Sequence, residues 1–172
     1  IDLEKKMDSL ITKLFPICRS ITGEGVRETL RIIGNEIPLT VYEVPSGTDI
    51  FDWKIPDEWN INDAYVKNDK GERVIDFQGS NLRVVGYSIP FEGKLSLDEL
   101  KNHLHTLPDQ PDLIPYVTSY YEKRWGFCLS HNEYIKLEDG VYEVKIDATL
   151  EPGFLTYADL VIDGESDKEV LI

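Results

Sequence analysis

Cations, histidine and cysteine are all scarce in this chain of 172 residues, and each scarcity closes off a class of function. Eighteen Lys and Arg stand against 32 Asp and Glu, a formal net charge of −14. That balance argues against nucleic acid as a partner, because phosphate binding needs clustered cations. The two cysteines, Cys18 and Cys128, make neither a disulfide framework nor a metal cluster of their own, and fit a reducing cytoplasm. His103, His105 and His131 lie in dissimilar segments, with no HExxH or CxxC pattern to gather them around zinc. No apolar run reaches the length of about eighteen residues that marks a membrane helix. The opening IDLEKKMDSL has no signal-peptide core and no initiator methionine, so the chain is expected to be trimmed or part of something longer.

What is present argues for a folded core: 41% apolar residues and three tryptophans. Leu3, Met7, Leu10, Ile11 and Leu14 follow helical spacing, and Pro16 closes that helix. Thr22 is the expected N-cap of a second helix, which carries Val26, Leu30 and Ile33 on one face and Gly34 at its end. Leu39 to Val44 alternates as a strand before the Pro45-Ser46-Gly47 break. DAYVK and RVIDF flank Asn68-Asp69-Lys70-Gly71 as a hairpin, and NLRVVGYS reads as a further strand. Ser96 to Glu99 is a capping box for a short helix running through Leu104. YEVKIDATL and TYADLVI read as strands around Glu151-Pro152-Gly153, and EVLI is a short apolar run at the end. From Glu133 onward, eleven acidic residues face three basic ones, a solvated surface in the plainest reading. The expected class is α+β, with a β-rich unit, of sandwich or jelly-roll type, over residues 48–138.

YYEKRWGFCLSHNEY, Tyr120 to Tyr134, places a cysteine and a histidine three residues apart. In a strand those side chains leave opposite faces, and no cation beside Cys128 favours its thiolate. Cys128 therefore reads as a core residue between Phe127 and Leu129. Trp53, Trp59, Trp125, Tyr120 and Tyr121 could form a stacking platform for a sugar ring or, as aromatics of a small β domain more often do, its core. In PICRSITGEG, Gly23 and Gly25 permit close backbone approach and the helix start offers N–H groups to an anion. A plain helix–helix turn accounts for the same residues equally well. Asp52 and Glu24 are the most locally distinctive carboxylates, Glu24 also serving as first-turn support for its helix.

Three segments, LFPICRSITGEGVRETLRII, EVPSGTDIFDWKIPDEWNINDAYV and DQPDLIPYVTSYYEKRWGFCLSHNEY, resemble a bacterial family of aminopeptidase-like proteins associated with polysaccharide biosynthesis. That family resembles the zinc-dependent exopeptidases, with a β-rich domain inserted near the N-terminus. The resemblance implies that residues 1–47 begin the exopeptidase α/β unit, 48–138 form the insert, and 139–172 return to the unit. CRSITGEG is similar to the Arg…Gly-Ser-x-Gly loop of that class. The zinc ligands and catalytic carboxylate are expected after Ile172, so none is assigned here, and this chain alone is expected to be inactive. The parent is expected to be a cytoplasmic hydrolase of peptides or of an amide on an amino sugar. For this chain the expected substrate-contacting residues are Arg19, Ser20, Glu24, Trp125, His131 and Asn132, with Tyr121 beside them in a glycan-binding reading. A non-catalytic binding module and an oligomerisation surface are the other readings.

Overall fold

The structure is a computed structural model that describes residues 2–120, 122–166 and 170. Two helices lead, α1 (Leu3–Leu14) and α2 (Glu24–Gly34). They are followed by β1 (Thr40–Pro45) and a small hairpin of β2 (Asp49–Ile50) and β3 (Trp53–Lys54). Then come β4 (Glu58–Lys67), β5 (Arg73–Asp76), β6 (Phe91–Ser96), α3 (Leu97–Lys101) and β7 (Leu104–His105). The chain closes with β8 (Phe127–Cys128), α4 (His131–Tyr134), β9 (Val141–Glu151) and β10 (Phe154–Asp159).

The longest strands carry the clearest alternation, and they make the main sheet. Along β9, Tyr142, Val144, Ile146 and Ala148 are buried at every second position, the period a half-buried strand requires. Along β4, Trp59, Ala64 and Val66 are buried, with a register shift between Ile61 and Asp63 moving the pattern by one residue. The sheet runs β5-β4-β9-β6, all antiparallel. At the β4–β5 turn the Asn68 Oδ1 accepts from the N–H groups of Lys70 and Glu72, and Gly71 supplies the left-handed φ of 80°. The Ser96–Glu99 capping box is formed in full.

One sheet face is covered by Leu97 and Leu100 of α3, by Phe127 and Leu129, and by Val84 and Tyr87. The expected sandwich or jelly roll is therefore corrected: the inner face packs against helices and irregular chain, and no second large sheet lies opposite it among the described residues. NLRVVGYS is not a regular strand. A 3-10 turn occupies Asn81–Arg83, and Tyr87 holds a left-handed φ of 65°, which ends any ladder there. Likewise α3 stops at Lys101, so Leu104, expected on that helix, sits on β7.

The expected boundary at 138 also needs correction. β9 lies between β4 and β6, so a cut at 138 would remove the central strand of the β-rich unit. β1 and β10 instead pair with each other, from Thr40–Asp159 to Pro45–Phe154, and β10 packs on α2. This second layer leaves much apolar surface open. Leu3, Met7, Ile11 and Phe15 along α1 are 57–71% exposed, and Val41, Phe154, Val161 and Ile162 are exposed as well. TYADLVI thus contributes a strand only as far as Asp159. EVLI, apart from Val170, lies outside the described residues.

Trp125 closes the far side of the β unit. Its ring lies between Phe91, with centroids 4.1 Å apart, and His103, 3.6 Å apart, so both faces are occupied by the protein itself. Trp125→Ala is expected to cost about 3–5 kcal/mol of stability, measured by urea unfolding at an unchanged m-value.

Candidate functional site

The loop between α1 and α2 is seated against the β-rich unit by buried polar contacts. Thr22 is fully buried. Its hydroxyl accepts from the Trp59 backbone N–H at 3.0 Å and lies 2.5 Å from the Tyr87 hydroxyl. The Trp59 ring stacks on Tyr87 and its indole N–H donates to the Ser88 carbonyl. Burial pushes the Tyr87 phenol up to about 12, so this hydroxyl keeps its proton across the physiological range.

The two glycines of the loop are required by protein backbone. A Cβ on Gly23, whose φ is +89°, would stand 2.2 Å from the Trp59 carbonyl oxygen, and one on Gly25 would stand 2.0 Å from that of Cys18. Asn60 accepts the Glu24 N–H at 2.7 Å. The anion-binding reading of this helix start is therefore corrected: the close approach is made by Trp59 and Cys18, and a neighbouring amide takes a first-turn N–H. Thr22, expected as the N-cap, is one residue too early and its hydroxyl is committed elsewhere; Gly23 stands at the cap position.

Beside this loop Arg27 bridges Glu24 and Glu58, at 2.6 and 2.5 Å. Glu58 also accepts from the Phe154 N–H and the Asn60 amide, tying α2, β4 and β10 together. The Arg27 hydrogen bond, helped by those of Asn60 and Phe154, holds the Glu58 carboxyl down at about 2.

The six residues expected to contact substrate fall into two groups. Arg19 and Ser20 line a cleft of about 450 Å³ with Cys18, Trp59, Tyr116 and Tyr120. Arg19 donates to the Leu14 carbonyl at 2.7 Å, while the buried Ser20 Oγ has no partner among the described residues. Glu24 is exposed and paired with Arg27. The other group lies along the third signature segment. Trp125 is sandwiched as described, His131 Nδ1 bonds Thr106 at 3.1 Å, and Asn132 donates to Asp112 at 2.7 Å. The cleft that holds Arg19 and Ser20 does not include Trp125, His131 or Asn132. Tyr121 lies outside the described residues.

Cys128 is wholly buried, and burial pushes its thiol up to about 11, opposite to what a nucleophile needs. The segment after it begins α4 through a second capping box, Ser130 with Glu133, whose S-x-x-E signature is legible in SHNE. Arg83 binds that same Glu133 at 2.7 and 2.8 Å and holds it down at about 2. The histidines do not converge, and no group of three or more His, Cys, Asp or Glu able to hold a metal exists among the described residues. The described residues therefore offer zinc no ligand set.

A second cleft, of about 470 Å³, opens on the other side of Tyr120, lined by Asp52, Trp53, Asp57, Tyr87 and Ile89. In the sequence Asp52 stands out as a distinctive carboxylate, and Trp53 and Tyr120 are read as members of a sugar-stacking platform or of the core; Asp57 and Ile89 are given no role there. The signal for this cleft was the FDWKIPDEW run itself.

Because the folded-state pKa of Glu58 is depressed, its stabilising contribution is complete above the ordinary carboxylate range. It is lost as pH falls from about 4.5 towards 2. Glu58→Gln is expected to cost roughly 1–2 kcal/mol at pH 7 and much less at pH 2.5, read from thermal unfolding across that range. An equal loss at both pH values would contradict the ion-pair account.

Residues 58–149 match the family described as "Domain of unknown function (DUF2172)". The chain is 56% identical over 164 residues to a Clostridium acetobutylicum protein named "Putative polysaccharide biosynthesis protein with aminopeptidase-like domain", covering 95% of this chain and 38% of that relative. It also superposes on the crystal structure of a "putative peptidase" from Clostridium acetobutylicum with a TM-score of 0.88 and 55% identity. That likeness covers 91% of this chain and 37% of the other. The chain thus spans well under half the length of the relatives it matches. With more than half of its residues inside the matched region, the chain belongs to the DUF2172 family.

Proposed function

We propose that this chain is the N-terminal part of a zinc-dependent aminopeptidase-like hydrolase, the metal ligands being supplied by polypeptide beyond it. The observation that carries the reading is the 56% identity across 95% of this chain to a relative named for an aminopeptidase-like domain, of which the chain spans 38%. The open apolar surface of α1, β1 and β10 supports it, since single domains rarely expose contiguous apolar patches that nothing covers. Its substrate is a peptide or an amide-bearing sugar, its compartment the cytoplasm, and homo-oligomerisation is compatible with the same open faces. In this reading residues 2–166 shape and position the catalytic unit, and no hydrolytic step is assigned to a side chain of this chain.

A second reading, a binding module without catalysis, is favoured by the cleft at Trp53. The two separate on a protein of the relatives' length, beginning with this chain. The hydrolase reading expects turnover of an aminoacyl amide or an amino-sugar amide, falling by about 100-fold or more on zinc chelation and returning with zinc. It also expects this chain alone to show no turnover and no stoichiometric zinc. Metal-independent turnover, or one tightly bound zinc on this chain, would contradict it.

A further inference from the structure

The three tryptophans are used differently. Trp59 stacks on Tyr87 and spends its N–H on Ser88. Trp125 has both ring faces covered. Trp53 is half-buried in the wall of the 470 Å³ cleft, and among the described residues no ring stacks on it and no acceptor meets its indole N–H. An aromatic surface of this kind in a cleft is unfilled recognition capacity.

Two carboxylates border the same cleft. Asp52 is exposed and Asp57 is half-buried, and neither has a hydrogen-bond or ion-pair partner among the described residues. Elsewhere this protein pairs such groups: Glu58 with Arg27, Asp63 with Arg73, Glu133 with Arg83. Lys54, on the same rim, is taken by Asp49 at 2.7 Å. Glu122 and Lys123 complete the charged lining, which carries three carboxylates against two ammonium groups. The turn that presents Asp52 and Trp53 is held by Phe51 at a φ of 53° with its ring fully exposed. A bulky residue seldom adopts that backbone conformation.

We propose that this cleft binds a pyranose ring carrying a protonated amino group, the ring's C–H face against Trp53 and its ammonium and hydroxyl hydrogens donated to Asp52 and Asp57. An indole face suits the apolar side of a sugar ring, and an adjacent ammonium adds a cation–π attraction. Two unpaired carboxylates supply the charge-assisted acceptors that a neutral sugar would use less well. The cleft volume lies within the range of small-ligand sites, about 300–1,000 Å³. Binding here is read without turnover, so the site stands or falls apart from the hydrolase reading.

The test follows the three indole N–H resonances of the chain by NMR, with the Trp53 signal assigned through Trp53→Phe. Methyl β-glucosaminide is titrated to about 50 mM, below the pKa of its amine, a range that captures weak binding. The Trp53 signal is expected to move saturably while those of Trp59 and Trp125 hold. Methyl β-glucoside is expected to bind about tenfold more weakly, as is the amino sugar to Asp57→Asn with its other resonances unchanged. No saturable shift, equal response to the two sugars, or undiminished binding by Asp57→Asn would overturn the proposal. So would an equal response to leucinamide, which would show that an amine suffices without a ring.

Discussion

The hydroxyl of Thr22 is the contact on which the rest of this structure depends. It reaches out of the loop between the leading helices, takes the Trp59 N–H, and meets the Tyr87 hydroxyl. Those three residues belong to the helical layer, to the first long strand and to the irregular segment covering the sheet. A buried polar trio of this kind is stable only if every member is satisfied, and that condition fixes its surroundings. Gly23 must lack a side chain because the Trp59 carbonyl occupies the space. Tyr87 holds its left-handed backbone while its ring stays between Trp59 and Tyr120. The Arg27–Glu58 pair then reinforces the same junction from its polar side.

Much of the fold was legible because it rests on local chemistry. The 3.6-residue stripe of α1, the alternation of β9 and the Ser96–Glu99 box are decided within a few residues, and each forms where its pattern lies. What escaped was set by distant partners. The alternation of Val141–Glu151 says that it is a strand, yet gives no hint that it inserts between β4 and β6. For that reason the unit boundary fell at 138 instead of after β9. NLRVVGYS has strand composition, but the 3-10 turn at Asn81–Arg83 and the left-handed Tyr87 interrupt it, and the Tyr87 ring packs against Trp59 and Thr22 from distant segments. The glycines of TGEG were correctly read as permitting close approach; that the approaching group is the protein's own carbonyl could not be seen without the fold.

The candidate site follows the same division. Trp125 stands in the most distinctive segment of the chain, and its distinctiveness reflects packing: a ring held between Phe91 and His103 has no face to offer. Arg19 and Ser20 share a cleft with the loop, whereas His131 and Asn132 are engaged by Thr106 and Asp112. Trp53 attracted no greater weight than its two counterparts in the sequence, because exposure and pairing are tertiary properties. The residues left without protein partners, Trp53, Asp52 and Asp57, are the ones with chemistry to spare, and the open apolar faces of the helical layer have packing to spare. Among the described residues, then, spare recognition chemistry lies on the β-rich unit and spare apolar surface on the helical layer.

The claim that the Thr22 hydroxyl joins loop to β unit is tested most directly by a double-mutant cycle on Thr22→Val and Tyr87→Phe, read from urea unfolding. The cycle cancels the separate cost of stranding the Trp59 N–H in the Thr22 variant. A coupling of about 1 kcal/mol or more is predicted, with each single variant less stable than the parent chain. Strictly additive losses would contradict the account, since they would mean that the two hydroxyls act independently.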